Sequence, residues 1–121
     1  METSKKSLSL NPRFEVVYLE RAVDFLESID QAAQEKLIYN IEKSKFLNDV
    51  VVFKKLVNKI WEFRAESRGI QYRILAFWTK DIEGCSYVVC TNGFIKKSSK
   101  VPRKEVLVSI NLMKWYLSIN R

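Results

Sequence analysis

The sequence contains no histidine and only two cysteines in 121 residues. Zinc sites are built mainly from histidine and cysteine ligands, so the usual zinc sites are excluded, as is every histidine-based catalytic triad. Cys85 and Cys90 are five residues apart in one apparent strand, which directs their side chains to opposite faces and makes a disulfide between them improbable. The acidic residues form no cluster that suggests bound magnesium. We expect neither a metal nor another cofactor.

The sequence also lacks a long apolar segment. No run approaches the length of a transmembrane helix, and residues 1–12 are polar, without the hydrophobic centre of a signal peptide. We therefore expect a cytoplasmic protein without a membrane partner. Apolar residues still make up 47% of the chain, which argues against disorder. The length fits one domain, so we predict a flexible tail over residues 1–12 and a single domain over residues 13–121.

Positive charge is concentrated in one part of the chain. The net charge is +7, and residues 54–104 contain 12 lysines and arginines against four acidic residues, whereas residues 1–53 contain seven against nine. A localised positive field attracts polyanions, of which nucleic acid is the commonest. A lysine-rich surface that only maintains solubility explains the composition at least equally well.

The first half of the sequence predicts one strand and two helices. Residues 14–18 form a short apolar run typical of a strand, and apolar residues recur at helical spacing from Leu19 onward. Asp30 is a suitable N-cap for a second helix. The connection before Asp30 is short, which favours an antiparallel helical hairpin. Residues 48–58 fit either a loop or a strand.

The second half predicts a three-stranded meander and a final helix. Strands at residues 59–66, 70–78 and 86–91 are separated by short turns. Pro102 is a suitable first residue for an amphipathic helix. This helix has more apolar residues than one face needs, and deep packing explains the excess slightly better than a patch for a partner chain. The predicted fold class is α+β, with the hairpin and the C-terminal helix packed on a small twisted, mainly antiparallel sheet.

Two arginines on neighbouring predicted strands are the first candidate site residues. Arg64 lies on a polar face with Glu62 and Glu66, where a solvated ion pair and a phosphate contact account for it equally well. Arg73 alternates with apolar residues, so its charge should be paired or should open into a cleft. We favour the cleft.

A lysine pair follows the last predicted strand, in the segment Gly93-Phe94-Ile95-Lys96-Lys97. Gly93 permits a turn that directs both lysines out of the sheet edge. A polar and basic run then leads to the final helix, whose N-terminal amides also attract phosphate. With the two arginines on neighbouring strands, phosphate binding is the better interpretation of this pair. The further candidate nucleic-acid contacts are Lys54, Lys55, Arg68, Phe94, Lys100, Arg103 and Lys104.

Aromatic residues are the remaining candidates for contact with unpaired bases. Phe94, Trp61, Tyr72 and Trp78 have rings that stack on single-stranded RNA in many complexes. For Trp61 and Phe94 a place in the core is the better explanation, because their alternation puts them beside other apolar positions.

The succession Trp61-Glu62-Phe63-Arg64, Tyr72-Arg73-Ile74-Leu75 and Gly93-Phe94-Ile95-Lys96-Lys97, followed by a helix that begins at a proline, resembles the RelE/HigB superfamily of bacterial toxins. The resemblance extends over residues 14–118 and is strongest for the phage-derived HigB-like branch. It implies a RelE-like fold and the toxin of a type II toxin-antitoxin pair. Such a toxin cleaves messenger RNA in the ribosomal decoding site, without a metal, by attack of a ribose 2′-hydroxyl on the adjacent phosphodiester.

By this resemblance the catalytic residues are Arg64, Arg73, Lys96 and Lys97. The arginines would stabilise the transition state, since bidentate guanidinium groups fit phosphate oxygens better than lysine does. The resemblance further implies a helix-turn-helix antitoxin as partner, besides messenger RNA and the ribosome. DNA would be bound only through the toxin-antitoxin complex.

The sequence departs from better-equipped relatives in its proton-transfer groups. It has no histidine, and no tyrosine can be placed near the lysine pair. A lysine with a lowered pKa, Glu62 or Glu66 could act as acid or base. Two alternatives therefore stay open: a ParE-like inhibitor of DNA gyrase, against which the basic pattern argues, and an RNA-binding domain without nuclease activity.

Overall fold

Three helices and a five-stranded mixed sheet make up the computed structural model, which describes residues 11–120. The elements are β1 (Glu15–Tyr18), α1 (Glu20–Ser28), α2 (Gln31–Ser44), β2 (Phe53–Val57), β3 (Ile60–Ser67), β4 (Ile70–Lys80), β5 (Ser86–Lys96) and α3 (Arg103–Ile119). The α+β prediction is confirmed. The tail predicted over residues 1–12 lies almost entirely outside the described residues.

The sheet has the strand order β1-β5-β4-β3-β2. β1 runs parallel to β5, and the other neighbours are antiparallel. The meander therefore contains four strands where three were predicted. The additional strand, β2, comes from residues 48–58, whose pattern fitted both loop and strand.

The helices lie on both faces of the sheet. On one face α1 lies over β5 and α2 over β3, and they share a core with Phe63 and Ile74. On the other face α3 packs against a second core that contains Leu75 and Phe77. The alternation of side chains along β4 supplies both cores, because successive residues of a strand point to opposite faces.

The local sequence explains where α2 and α3 begin. The Asp30 side chain accepts a hydrogen bond from the Ala33 amide at 2.9 Å, so the predicted N-cap of α2 is confirmed. Pro102 has extended backbone angles and precedes the first residue of α3, Arg103. The final helix therefore begins one residue later than predicted.

The prediction of a turn at Gly93 is wrong. β5 continues to Lys96, with a bulge that shifts its register between the Leu75–Asn92 and Ala76–Cys90 pairs. Gly93 lies inside the strand and does not have a positive φ. A Cβ at this position would collide with the ring of Phe25 on α1, so glycine is required by close packing.

A buried polar network fixes the N-terminal half of α3 against β5. The Thr91 hydroxyl lies 2.7 Å from the Ser109 hydroxyl and donates to the Leu75 carbonyl. The Asn92 amide donates both to the carbonyl and to the carboxylate of Glu105. The network therefore determines where the segment between β5 and α3 can lie.

Much of the apolar excess of α3 is exposed, contrary to the favoured expectation. Leu107, Trp115 and Ile119 are each more than half exposed, and the helix contacts its core mainly through Val106 and Ile110 with their neighbours on the same face. Among the described residues no helix is both long and apolar enough to cross a membrane. Cys85 is exposed, Cys90 is buried, and both thiols are free.

Candidate functional site

The register of three strands places cations on one face of the sheet. Arg64 on β3 is the direct partner of Arg73 on β4. On β5, Lys96 is the partner of Gln71, which is two residues before Arg73 on β4. Directly paired residues point to the same face, so both arginines and Lys96 lie on the face that α3 only partly covers.

These residues line a basic cleft beside the N-terminal end of α3. A depression of about 580 Å³ is lined by Arg64, Gln71, Arg73, Lys96, Lys97, Ser98 and Ser99. An adjoining one of about 350 Å³ shares Arg64, Lys96 and Ser99 with it and adds the lysines Lys54 and Lys100. Because the two share lining residues, we treat them as one surface and call it the basic cleft.

A larger depression, of about 780 Å³, lies between the turn after β4 and the C-terminal end of α3. Its charged lining residues are Lys80 and Asp81, whose opposite charges cancel. It therefore lacks the local positive charge that a polyanion site needs.

Arg73 forms part of the cleft but is also paired. It is 2% exposed, and its Nη1 donates to the Tyr72 carbonyl at 3.0 Å and to the Gln71 side chain at 3.4 Å. Its Nε lies 3.8 Å from Glu62 Oε1. Burial lowers the pKa of Arg73, the Glu62 carboxylate opposes this shift, and Arg64 adds to it. The arginine nevertheless stays charged, because its ordinary pKa lies far above neutrality.

Arg64 has a fixed backbone and a more accessible side chain. Its amide donates to the Val52 carbonyl at 2.8 Å, and its carbonyl accepts from the Asn40 side chain on α2 at 2.9 Å. Its side chain is 30% exposed, with Nε 3.6 Å from Glu62 Oε1. The ion pair weighed from the sequence is therefore present, although its carboxylate is buried rather than solvated.

Glu62 is the site residue whose place the sequence did not reveal. It is 2% exposed and lies between the two arginines, at the floor of the cleft. Glu62 Oε2, Arg64 Nε and Arg73 Nε are all buried without a hydrogen bond. Buried polar atoms without hydrogen bonds lower stability, so the presence of three such atoms in one place suggests a functional role. The period-two pattern places Glu62 beside Arg64 but cannot show that Glu62 is buried in the folded protein.

Besides Lys96, three of the predicted lysines line the cleft with the arginines. Lys54 is the register partner of Glu62 on the edge strand β2 and lines the cleft. Lys97 and Lys100 lie in the segment that joins β5 to α3. The Ser98 hydroxyl donates to the Lys100 carbonyl at 3.1 Å, which gives this segment a local hydrogen bond.

Five other predicted contacts do not line the cleft. Lys55 pairs with Trp61 and so points to the opposite face, and Arg68 lies in the β3–β4 turn. Arg103 and Lys104 are exposed in the first turn of α3. Phe94 is 7% exposed and packs in the core under α3, so its ring has no free face for a base.

The other aromatic candidates belong to the core on the face of the sheet that α1 and α2 cover. Tyr72 is buried there, and Trp61 and Trp78 pack at its edge, with their ring centres 5.8 Å apart. Among the described residues that line the cleft, none is aromatic. The cleft is therefore suited to contact with the phosphate backbone rather than to base stacking.

The relationship to known proteins comes from one family comparison. The family model described as "Phage derived protein Gp49-like (DUF891)" matches residues 24–114, about three quarters of the chain. The chain belongs to the Gp49-like family. This family is RelE/toxin-like, so the resemblance is confirmed at that level, while the HigB-like branch in particular is not. No curated protein matches the chain.

The Gp49-like match includes β2 to β5 and the entire basic cleft. Two guanidinium groups and several ammonium groups around one open surface can bind a phosphodiester and stabilise charge that develops on its oxygens. Lysine and serine are the groups beside the arginines that such a reaction could use for proton transfer. Among residues 11–120, no cluster of three His, Cys, Asp or Glu residues could hold a metal ion.

Proposed function

We propose that this Gp49-like protein is the toxin of a type II toxin-antitoxin pair and inhibits translation by cleaving messenger RNA on the ribosome. The observation that carries the proposal is the direct pairing of Arg64 with Arg73 beside Lys96, in one cleft of a RelE/toxin-like chain. Three cations from three adjacent strands form a rigid cradle, since all three positions belong to the hydrogen-bonded sheet.

In the proposed reaction a ribose 2′-hydroxyl attacks the adjacent phosphorus, and the bond to the 5′-oxygen of the next nucleotide breaks. The products are a 2′,3′-cyclic phosphate and a free 5′-hydroxyl. Negative charge accumulates on the non-bridging oxygens in the transition state, where Arg64 and Arg73 would stabilise it. Lys96 and Lys97 are the lining groups that could move the two protons, one from the attacking hydroxyl and one to the leaving oxygen.

A second candidate function is RNA binding without cleavage. It is favoured by the absence of histidine from the whole sequence, because histidine is the commonest general acid and base near neutral pH. This candidate uses the same cleft and the same phosphate contacts. Only a measurement of cleavage separates it from the first.

The proposal includes partners and a compartment. A cytoplasmic toxin of this kind needs an antitoxin, for which we propose a helix-turn-helix protein with an acidic surface that covers the basic cleft. Complementary charge at such an interface speeds association and excludes wrong partners. DNA would then be contacted by the antitoxin within the complex.

Induced expression in bacterial cells without an antitoxin tests the proposal. Wild type should stop growth and protein synthesis, whereas Arg64→Ala should restore most of the growth because a half-buried phosphate contact is lost. Arg68→Ala is the matched control, since it removes an exposed arginine on the same β-hairpin that does not line the cleft. Growth arrest that persists in Arg64→Ala and is accompanied by DNA damage would contradict the proposal and favour gyrase inhibition.

A further inference from the structure

We infer that Glu62 is a positioning residue of the basic cleft, whose buried carboxylate holds the guanidinium groups of Arg64 and Arg73 side by side so that one phosphate group can contact both. The inference deepens the proposed function and rests on it only for the identity of the ligand, an RNA phosphodiester.

The strand register brings two arginines together, and the Glu62 carboxylate offsets the repulsion between them. Arg64 and Arg73 are direct cross-strand partners, and like charges in such a pair repel each other. Glu62 is two residues before Arg64 on β3, so it points to the same face of the sheet and lies diagonally across from Arg73. One carboxylate is therefore close to both cations.

The distances agree with a bridging role. The same oxygen, Glu62 Oε1, lies 3.6 Å from Arg64 Nε and 3.8 Å from Arg73 Nε. Both ion pairs involve Nε, which leaves terminal N–H groups of Arg64 for a ligand. Arg73 uses Nη1 for the Tyr72 carbonyl and the Gln71 side chain, so that guanidinium group is fixed from two sides.

Burial makes these ion pairs strong enough to position a side chain. Exposed pairs contribute little because water and salt screen them, whereas Glu62 is 2% exposed and its attraction for the arginines is weakly screened. Its other oxygen, Oε2, is buried, which leaves the carboxylate little surface for direct contact with a ligand. Glu62 would therefore act through the arginines and not on the RNA.

For the change in RNA binding when the Glu62 charge is removed, the inference predicts the opposite sign from an argument based on net charge. Removing a negative charge near a basic cleft should strengthen binding of a polyanion if net charge alone matters. If Glu62 positions the arginines, its neutralisation lets two like charges separate and should weaken binding. Glu66 offers a matched control, because it lies on the same face of β3, is exposed, and accepts a hydrogen bond from Gln71 rather than pairing with an arginine.

The experiment measures binding of a non-cleavable 2′-O-methyl RNA oligonucleotide to the full chain by fluorescence anisotropy. Glu62→Gln should weaken binding by about tenfold or more, as loss of one partner of a buried charge pair does. Glu66→Gln, with the same change of net charge, should bind slightly more tightly than wild type. A folded Glu62→Gln variant that binds as tightly as wild type, or more tightly, overturns the inference.

Two further measurements decide the inference if Glu62→Gln does not fold. Glu62→Asp keeps the net charge and withdraws the carboxylate by one methylene, so it should weaken binding several-fold, and unchanged binding would count against positioning. In wild type, NMR signals of two arginine Nε–H groups should exchange slowly with solvent; rapid exchange of both would also overturn the inference.

The same signals separate the inference from the proposed function. If wild type does not bind the oligonucleotide, the proposed function fails, and the Nε–H signals then decide about Glu62 alone. Slow exchange in wild type that is lost in Glu62→Asp supports positioning, and slow exchange unchanged in Glu62→Asp contradicts it.

Discussion

At the scale of single residues, burial determines the strength of ion pairs and the direction of pKa shifts in this protein. Arg73 and Glu62 are almost completely buried, which strengthens their attraction and also makes their desolvation costly. The same exclusion of water acts on neutral groups elsewhere in the sheet. Burial raises the pKa of the Cys90 thiol, and burial, with smaller contributions from Cys90 and Glu42, raises the pKa of Tyr18.

The Cys90 thiol gives a prediction for the dependence of stability on pH. Its pKa is raised in the folded state, so the folded protein keeps this proton while the unfolded chain loses it above about pH 8.5. The free energy of unfolding should therefore be at its full value below that pH and should fall as the pH rises, by up to about 1.4 kcal/mol per pH unit from this group.

Urea denaturation of wild type and Cys90→Ala between pH 7 and 10 measures this effect. Cys90→Ala should be less stable at pH 7 because it leaves a small cavity, and its stability should decline less steeply above pH 8.5. Cys85→Ala controls for the loss of a cysteine, since Cys85 is exposed. Parallel curves for wild type and Cys90→Ala would contradict the prediction.

At the level of secondary structure elements, the period of two along each strand selects which side chains reach the cleft. The edge strand β2 shows this most clearly, because its two adjacent lysines point to opposite faces. Lys54 is paired with Glu62 and lines the cleft, whereas Lys55 is paired with Trp61 on the face that α1 and α2 cover. The two residues have the same chemistry and neighbouring positions but different surroundings.

We predict that Lys54→Ala weakens RNA binding by several-fold, whereas Lys55→Ala leaves it within about twofold of wild type. Binding of the oligonucleotide at a series of salt concentrations measures both. Because each phosphate contact to a single strand contributes about 0.7 to the slope of log K against log salt, only Lys54→Ala should reduce that slope by about this amount. Equal effects of the two substitutions would show that the face of the sheet does not matter.

The elements also show how far the sequence alone could predict this molecule. The N-cap at Asp30 and the strands that contain Arg64 and Arg73 follow from local chemistry and periodicity, and the structure confirms them. The continuation of β5 through Gly93 could not be predicted, because it depends on the ring of Phe25 from a distant helix. Glycine there satisfies a packing requirement that looks like a turn signal in the sequence.

The candidate site, too, could be predicted from the sequence only in part. Arg64, Arg73, Lys96 and Lys97 were predicted from cations on neighbouring predicted strands and from the family resemblance, and the structure brings all four to one cleft. The ion pairs of Glu62 with the two arginines could not be predicted as buried ones, since the burial of this carboxylate depends on the folded structure. Burial of that kind is a property of the assembled sheet.

For the whole molecule, each layer of the fold has a separate part in forming the cleft. The α2 helix, on the face of the sheet opposite the cleft, fixes the backbone of Arg64 through the hydrogen bond from Asn40 to the Arg64 carbonyl. On the other face, the polar network at Thr91 and Ser109 holds α3 so that its N-terminal end borders the cleft without covering it. The excess of positive charge in residues 54–104 then surrounds an opening that the fold keeps accessible.

The most direct test of the central claim is a cleavage assay with messenger RNA bound to purified ribosomes, read by primer extension. Wild type should cut at defined positions in the decoding site. Arg64→Ala should slow cleavage about a hundredfold or more, as loss of a group that stabilises transition-state charge does, and Arg68→Ala should cut at nearly the wild-type rate. Intact messenger RNA with active ribosomes and folded wild-type protein would contradict the account, as would equal cleavage by wild type and Arg64→Ala.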